Sequence, residues 1–372
     1  MWRGLRLKNK ERMTGSLFTL VFFAAVIVIV VFIFNFRMTG RHEAIKVGAV
    51  FIGVDDDKGW NESHSKGIGS ACEKHSCIYR TQMHVPEEEE PLKKAVAELV
   101  SEGCSVIFLT SYGYGQYADS IAKSNPDVAF YCISGDYTAE NCMSYFARMY
   151  QARYLSGIVA GACTKSGILG YVSAMPIPET IRSVNAYALG ARASNPSAKV
   201  LVMYTGSWDD RQQEEAATRE LADAGADVMT FHEDRPYAID LADEMGLMTT
   251  GYDYVSKEYS DRFLTAAVFN WDMLYERVLG DYLSGRANFS NDYWLGLSEG
   301  AVSLYPYSYI VTDTTKSLVA AEEERIKTWR DVFSGKIVDN TGTLRCGENE
   351  RIGDDELFNH IDWYVEGVEI YE

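Results

Sequence analysis

The chain lacks the local signatures of the common catalysts. No G-x-x-x-x-G-K-[ST] phosphate loop occurs, and Gly113-Tyr114-Gly115 and Gly167-Ile168-Leu169-Gly170 lack the dinucleotide-binding spacing behind a first strand. No H-E-x-x-H pair is present, and the six histidines show no evident nucleophile partner. The seven cysteines (Cys72, Cys77, Cys104, Cys132, Cys142, Cys163 and Cys346) form no C-x-x-C pair and have no His at metal spacing. An oxidising exterior would allow Cys132–Cys142 or Cys72–Cys77, although the odd count leaves one thiol free; small buried hydrophobes are an equally good reading. These absences imply no metal and no cofactor, and they favour a binder over an enzyme.

Positive charge is scarce beyond the first 46 residues. That segment holds eight Lys and Arg against two Glu, a net of +6, which leaves −24 on the remainder of a chain whose total is −18. A body this acidic repels phosphate backbones, so no nucleic-acid partner is expected. Long hydrophobic runs are also scarce, with one exception. Leu17–Phe36 reads LFTLVFFAAVIVIVVFIFNF and carries no charge. About 20 apolar residues span a bilayer core, and a helix apolar on every face is not a surface helix of a globular body. The basic cluster Arg3–Arg12 precedes it and favours a cytoplasmic N-terminus, a bias that Arg37 and Arg41 weaken. No A-x-A-like cleavage site and no nearby Cys follows. The expected organisation is a basic cytoplasmic segment (1–16), an uncleaved transmembrane helix (17–36), a linker (37–44) and an extracytoplasmic body (45–372), hence a single-pass protein of the cell membrane.

The body is longer than one ordinary domain requires. Apolar runs at Ile45–Ile52, Cys77–Met83, Ser105–Leu109 and Val128–Cys132 read as strands, separated by helices over Asn61–Lys74, Glu87–Ser101 and Tyr117–Lys123. The alternation then restarts. Strands are expected at Gly167–Val172, Ala198–Met203, Asp227–Phe231, Met248–Thr250 and Phe263–Val268. Their helices are expected at Tyr150–Thr164, Pro178–Ala193, Arg211–Ala224, Tyr237–Met245 and Asp272–Leu283, with a late helix over Glu322–Phe333. Such alternation predicts an α/β fold of two doubly wound parallel-sheet lobes with a ligand cleft. Lobe one is expected at about 45–148 with part of 270–372, and lobe two at about 149–269.

In doubly wound sheets ligands bind beyond the carboxyl ends of the strands. The loops there contain Trp60, Ser111, Tyr112, Asp136, Trp208, Asp234 and Asp253. Trp60 lies in Asp57-Lys58-Gly59-Trp60-Asn61 and Trp208 in Gly206-Ser207-Trp208-Asp209-Asp210, one in each half. Two indoles on opposite lobes suit a planar heterocycle held between them, although partly buried packing residues would look the same. Asp136 is placed to accept from ring N–H or exocyclic amine groups. His64 follows Trp60 by one helical turn and reaches either the cleft or solvent.

Several runs together carry a resemblance. DDKGWNESHSKG, TSYGYG, SGDYTAEN, ARYLSGIVAG, GILGYV, YTGSWDD and DWYVEGV occur in order between Ile45 and Glu372. In order and spacing the body resembles the basic membrane protein family of extracytoplasmic substrate-binding proteins, which includes purine nucleoside receptors of ABC transporters. The resemblance implies a type I periplasmic-binding-protein fold closing on a purine. It assigns Trp60 and Trp208 to stacking, Asp136 to reading the base, Asn61 to ordering its loop or reaching the base, and Asp253 to a ribose. Two departures stand out. Phe269 occupies the place of a Lys in the nucleoside receptors, and Phe51-Ile52 the place of an Asp. Losing both sugar-side groups points to a free nucleobase over a nucleoside. GWNESH, TSYGY and VFNWD resemble the free-purine branch, in which Ser111, Tyr112, Asn270 and Trp271 would line the cleft. The implied partners are a purine base or nucleoside, an ABC permease, and the bilayer through the N-terminal helix. The alternative is a purine-sensing receptor of the same fold without transport.

Overall fold

The structure, a computed structural model, describes residue 26 and residues 44–371 apart from 136, 138, 256 and 329. Chain contacts separate Met1–Ile45 from Lys46–Glu372, and both large sheets belong to the second unit. The run Leu17–Phe36 lies outside the described residues except for Val26. Among the described residues no helix is long and apolar enough to cross a membrane.

Short runs of Val, Ile, Phe and Tyr become the central strands, buried on both faces, as a helix-covered parallel sheet requires. Strands are numbered along the chain. The first sheet holds β1 (Lys46–Val50), β2 (Ile78–Gln82), β3 (Cys104–Leu109), β4 (Ala129–Ile133), β5 (Cys142–Ala147) and β11 (Tyr293–Leu295) in the order β11-β5-β4-β3-β1-β2, all parallel. The second holds β6 (Ile168–Ser173), β7 (Lys199–Tyr204), β8 (Val228–His232), β9 (Met248–Asp253), β10 (Phe263–Phe269), β12 (Val302–Leu304) and β15 (Val368–Ile370) in the order β12-β10-β9-β8-β6-β7-β15, with β12 antiparallel to β10. The two series repeat one winding, 2-1-3-4-5 and 7-6-8-9-10. A hairpin of β13 (Ile337–Val338) and β14 (Leu344–Cys346) stands apart from both.

The chain passes between the sheets three times, after β5, after β10 and between β11 and β12. The helix Trp271–Leu283 returns to the first lobe and packs on the helix Trp60–Lys74. In the second lobe the helices Met149–Cys163 and Pro178–Ser194 lie nearly backbone to backbone. A Cβ on Gly190 would sit 1.9 Å from the Tyr154 carbonyl oxygen, and one on Gly157 would sit 2.2 Å from that of Tyr187.

Besides the short strands β11 to β15, which the sequence reading did not include, three features differ from it. β5 was not expected; all six of its residues are buried between β4 and β11. The late helix spans Asp313–Thr328, earlier than Glu322–Phe333, because the Thr312 hydroxyl caps its first turn at the Thr315 N–H (3.2 Å). Phe333, expected inside that helix, packs on Tyr150 instead. Finally, all seven cysteines are free, so neither Cys132–Cys142 nor Cys72–Cys77 is joined. Burial pushes the Cys72 and Cys132 thiols up to about 12, and both behave as apolar core groups.

Candidate ligand-binding site

The loop after β1 is built around one carboxylate. Asp57, buried, accepts from the Gly59 and Glu62 N–H groups at Oδ1 (3.0 Å each) and from the Asn61 N–H (3.0 Å) and Asn61 Nδ2 (2.7 Å) at Oδ2. It thereby holds the open N–H groups that begin the helix Trp60–Lys74. Trp60 is the first residue of that helix, and its Nε1 donates to the Thr110 carbonyl at the end of β3 (2.8 Å). Its ring meets His64 (4.3 Å), Trp271 (5.6 Å) and Phe269 (6.1 Å) edge to face. The indole is thus positioned by its N–H and by aromatic neighbours.

The opposing loop follows β7. Thr205 Oγ1 contacts the Ser207 carbonyl (2.9 Å) and Glu233 Oε1 (2.8 Å), and the Trp208 carbonyl accepts from the Asp234 N–H (2.9 Å). Trp208 is therefore tied to the loop after β8, with its ring 6.2 Å from His232.

Both indoles line one cavity with roughly 540 Å³ of empty space, the open solvent at its mouth included. Lobe one contributes Ile52, Trp60, Ser111, Tyr112, Ile133, Ser134 and Phe146; lobe two contributes Glu179, Trp208, Glu233, Asp234 and Tyr252. Aromatic walls with a few convergent polar groups are the usual composition of a small-molecule site. Among the described lining residues three are acidic and none is Lys, Arg or His, so no side chain there is placed to pair with an anionic ligand. Behind Tyr252 lies the fully buried Arg153, its guanidinium 4.2 Å from the ring centroid and hydrogen-bonded to Thr230 Oγ1 (3.1 Å) and the Phe231 carbonyl (2.5 Å). Burial pushes the Glu233 carboxyl up to about 10. It also raises that of Asp234, helped by Asp57 and Asp209. Burial lowers His232 to about 4, and its Nε2 stands 3.7 Å from Glu179, beyond hydrogen-bond reach. Among the described residues no cluster of His, Cys, Asp and Glu could hold a metal ion.

Of the residues singled out from the sequence, Trp60, Ser111, Tyr112, Trp208 and Asp234 meet at this cavity. Asp136 lies outside the described residues. The other five are placed outside the lining. Asn61 is spent on Asp57, which orders the loop. His64 is fully buried, hydrogen-bonded to the Tyr275 hydroxyl and tilted against Trp271 at 3.9 Å, so neither the cleft nor solvent receives it. Asn270 donates to the Gly300 carbonyl (2.7 Å). Trp271 stacks on Phe269 (4.3 Å) and donates to Asp253 (3.2 Å). Asp253 accepts from that indole and from Ser63 across the lobes.

Sequence reasoning missed Ile52 as a lining residue, and also Ile133, Ser134, Phe146, Glu179, Glu233 and Tyr252. The strand-end rule that selected Asp234 covers its neighbour Glu233 equally. Phe146 sits on the unexpected β5.

The comparisons agree with this architecture. The family model for PnrA-like ABC transporter substrate-binding proteins matches residues 44–333. A purine-binding protein of Brucella abortus is 32% identical over 88% of this chain and 93% of its own length. A putative ABC transporter glucose-binding protein of Haloferax volcanii is 31% identical over 88% of this chain and 81% of its own. The solved structure of an ABC transporter solute-binding protein from Conexibacter woesei superposes with a TM-score of 0.63 at 22% identity, covering 76% of this chain and 96% of the other. With two such lobes facing one aromatic cavity and a family match over most of its length, the chain belongs to the PnrA-like, or Bmp, family of ABC transporter substrate-binding proteins.

Proposed function

We propose that this protein binds a purine between its lobes, as a free nucleobase in preference to a nucleoside, and presents it to the permease of an ABC importer. The observation that carries the reading is the convergence of Trp60 and Trp208 from separate lobes on one cavity. Stacking on two indoles supplies affinity that any flat heterocycle can use, and the carboxyl groups beside them supply direction. The preference for the base rests on the sugar-side groups. Ile52 is an apolar lining residue, Phe269 packs on Trp271, and Asp253 is committed to Ser63 and Trp271. The purine-binding name of the Brucella relative supports the ligand class. In this reading the Leu17–Phe36 helix tethers the body at the outer face of the cell membrane, which raises its effective concentration near the permease.

The Haloferax relative's name favours a second reading, a sugar, since aromatic faces and carboxylates also suit a pyranose. Titration calorimetry of the full chain with adenine, hypoxanthine, their ribosides and glucose decides among these. Binding of a base that is tighter than its riboside is the expected result. Tighter riboside binding rejects the nucleobase preference, and binding of glucose alone rejects the purine. Importer and sensor are separated by uptake: loss of purine import on deletion of the gene is expected, and unchanged import supports the sensory alternative.

A further inference from the structure

One carboxyl group in the cavity wall is unfinished. Glu233 is 2% exposed, and its Oε1 lies 2.8 Å from Thr205 Oγ1. Its Oε2 is buried without a hydrogen-bond partner among the described residues, although Glu233 lines the cavity. A buried polar atom left unmatched is costly, and a ligand that completes it recovers that cost.

The surroundings decide the form this group takes. Among the described residues no Lys or Arg lines the cavity with it, and Glu214, Asp234 and Asp209 all act on it with like charge. His232, the preceding residue, is held neutral by burial. Burial and these neighbours keep the carboxyl protonated across the physiological range, since its pKa is pushed up to about 10. The single Thr205 hydroxyl proton has two acceptors in reach, Glu233 Oε1 (2.8 Å) and the Ser207 carbonyl (2.9 Å); given to the nearer Oε1, it leaves the carboxyl proton to Oε2.

We propose that Glu233 is a specificity-determining residue, whose Oε2 hydroxyl donates a hydrogen bond to an unprotonated ring nitrogen or carbonyl oxygen of the bound base. The inference rests on the purine reading above and extends it. A carboxylate wall alone selects ligands rich in donors. A neutral carboxylic acid among the acidic residues adds one donor, so the site matches a heterocycle edge that offers an acceptor beside its N–H groups.

The test uses the full chain with adenine and its 1-, 3- and 7-deaza analogues, each lacking one ring acceptor, on the wild type, Glu233→Gln and Glu233→Met. In the wild type one analogue is expected to bind about tenfold or more weakly than adenine, as for loss of one buried hydrogen bond. Glu233→Gln, which keeps a donor at this position, retains that discrimination. Glu233→Met abolishes it for the same analogue only. Discrimination that is equal in wild type and Glu233→Met at every ring position overturns the proposal, even where adenine binds well. The wild-type comparison needs no variant to fold. Failure of adenine, hypoxanthine and their ribosides alike to bind the wild type removes the purine reading, and the proposal with it.

Discussion

Ser63 of the first lobe and Asp253 of the second share a hydrogen bond, with Oγ 3.2 Å from Oδ2. Asp253 has a left-handed backbone (φ 62°) that few non-glycine residues adopt, and it is buried. The bond therefore spans the lobe boundary at a place where backbone strain and burial are both offset by the partners Ser63 and Trp271. Ser63→Ala is expected to favour the open form and weaken ligand binding by roughly 3- to 10-fold. Calorimetry reads the affinity, and small-angle scattering with ligand reads the closure.

A second interlobe contact is steric. The Trp60 N–H donates to the Asp234 carbonyl (3.3 Å), and a Cβ on Gly59 would lie 1.8 Å from that same oxygen. Gly59→Ala is expected to hold the lobes apart. Ligand affinity should fall by about tenfold or more, and the radius of gyration should stay at its ligand-free value when ligand is added.

Trp60→Ala and Trp208→Ala should each cost about 1–3 kcal/mol of binding, roughly 5- to 150-fold in Kd, as for loss of a stacking ring. Circular dichroism should be unchanged. A loss confined to one of the two would mean that the ligand stacks on a single lobe.

Stability should depend on pH through buried acids. Burial pushes Glu214 up to about 9, Glu233 to about 10 and Asp253 to about 7. Each folded group keeps a proton that the unfolded chain has released, so its contribution is full below about pH 4 and is lost as pH rises through the folded value. His64 and His232 act in the opposite sense, because burial lowers both and the unfolded imidazoles take up protons below about 6.5. The two trends oppose each other in acid; above pH 6.5 the carboxyls destabilise, and at about pH 8.5 the buried thiols add in the same sense, because the unfolded thiols begin to ionise there. Tm should fall between pH 6.5 and 9 by on the order of 5 °C. Glu214→Gln, outside the cavity, should flatten that limb in differential scanning calorimetry.

Gly190→Ala tests the helix pair of the second lobe. Its Cβ would collide with the Tyr154 carbonyl, a backbone atom that no rotamer change can move aside. A loss of about 1–3 kcal/mol is expected from urea unfolding.

The alternation of strands and helices was legible because it is written locally. Runs such as SVIFL before β3's loop and GILGYV at β6 carry their own apolar signal, and the turn residues after them mark the carboxyl ends. That same rule brought out Trp60 and Trp208, which need only a position after a strand to be noticed. β11 and β15 were not legible. Each is three residues long and joins an edge whose partner strand lies more than a hundred residues away, so no local pattern announces it.

The site divides in the same way. From its amino-acid order alone the chain determined an α/β protein of two similar halves, an acidic body, and one indole at a corresponding loop in each half, because periodicity, charge and loop position are properties of neighbouring residues. Tertiary structure alone decided that His64, Trp271 and Asp253 support the cavity from beneath, and that Glu179 and Glu233 enter its wall. An Asp, Glu or His beside a strand end looks the same in sequence whether it meets water or a buried partner. Which of these it meets depends on residues folded against it from the other lobe.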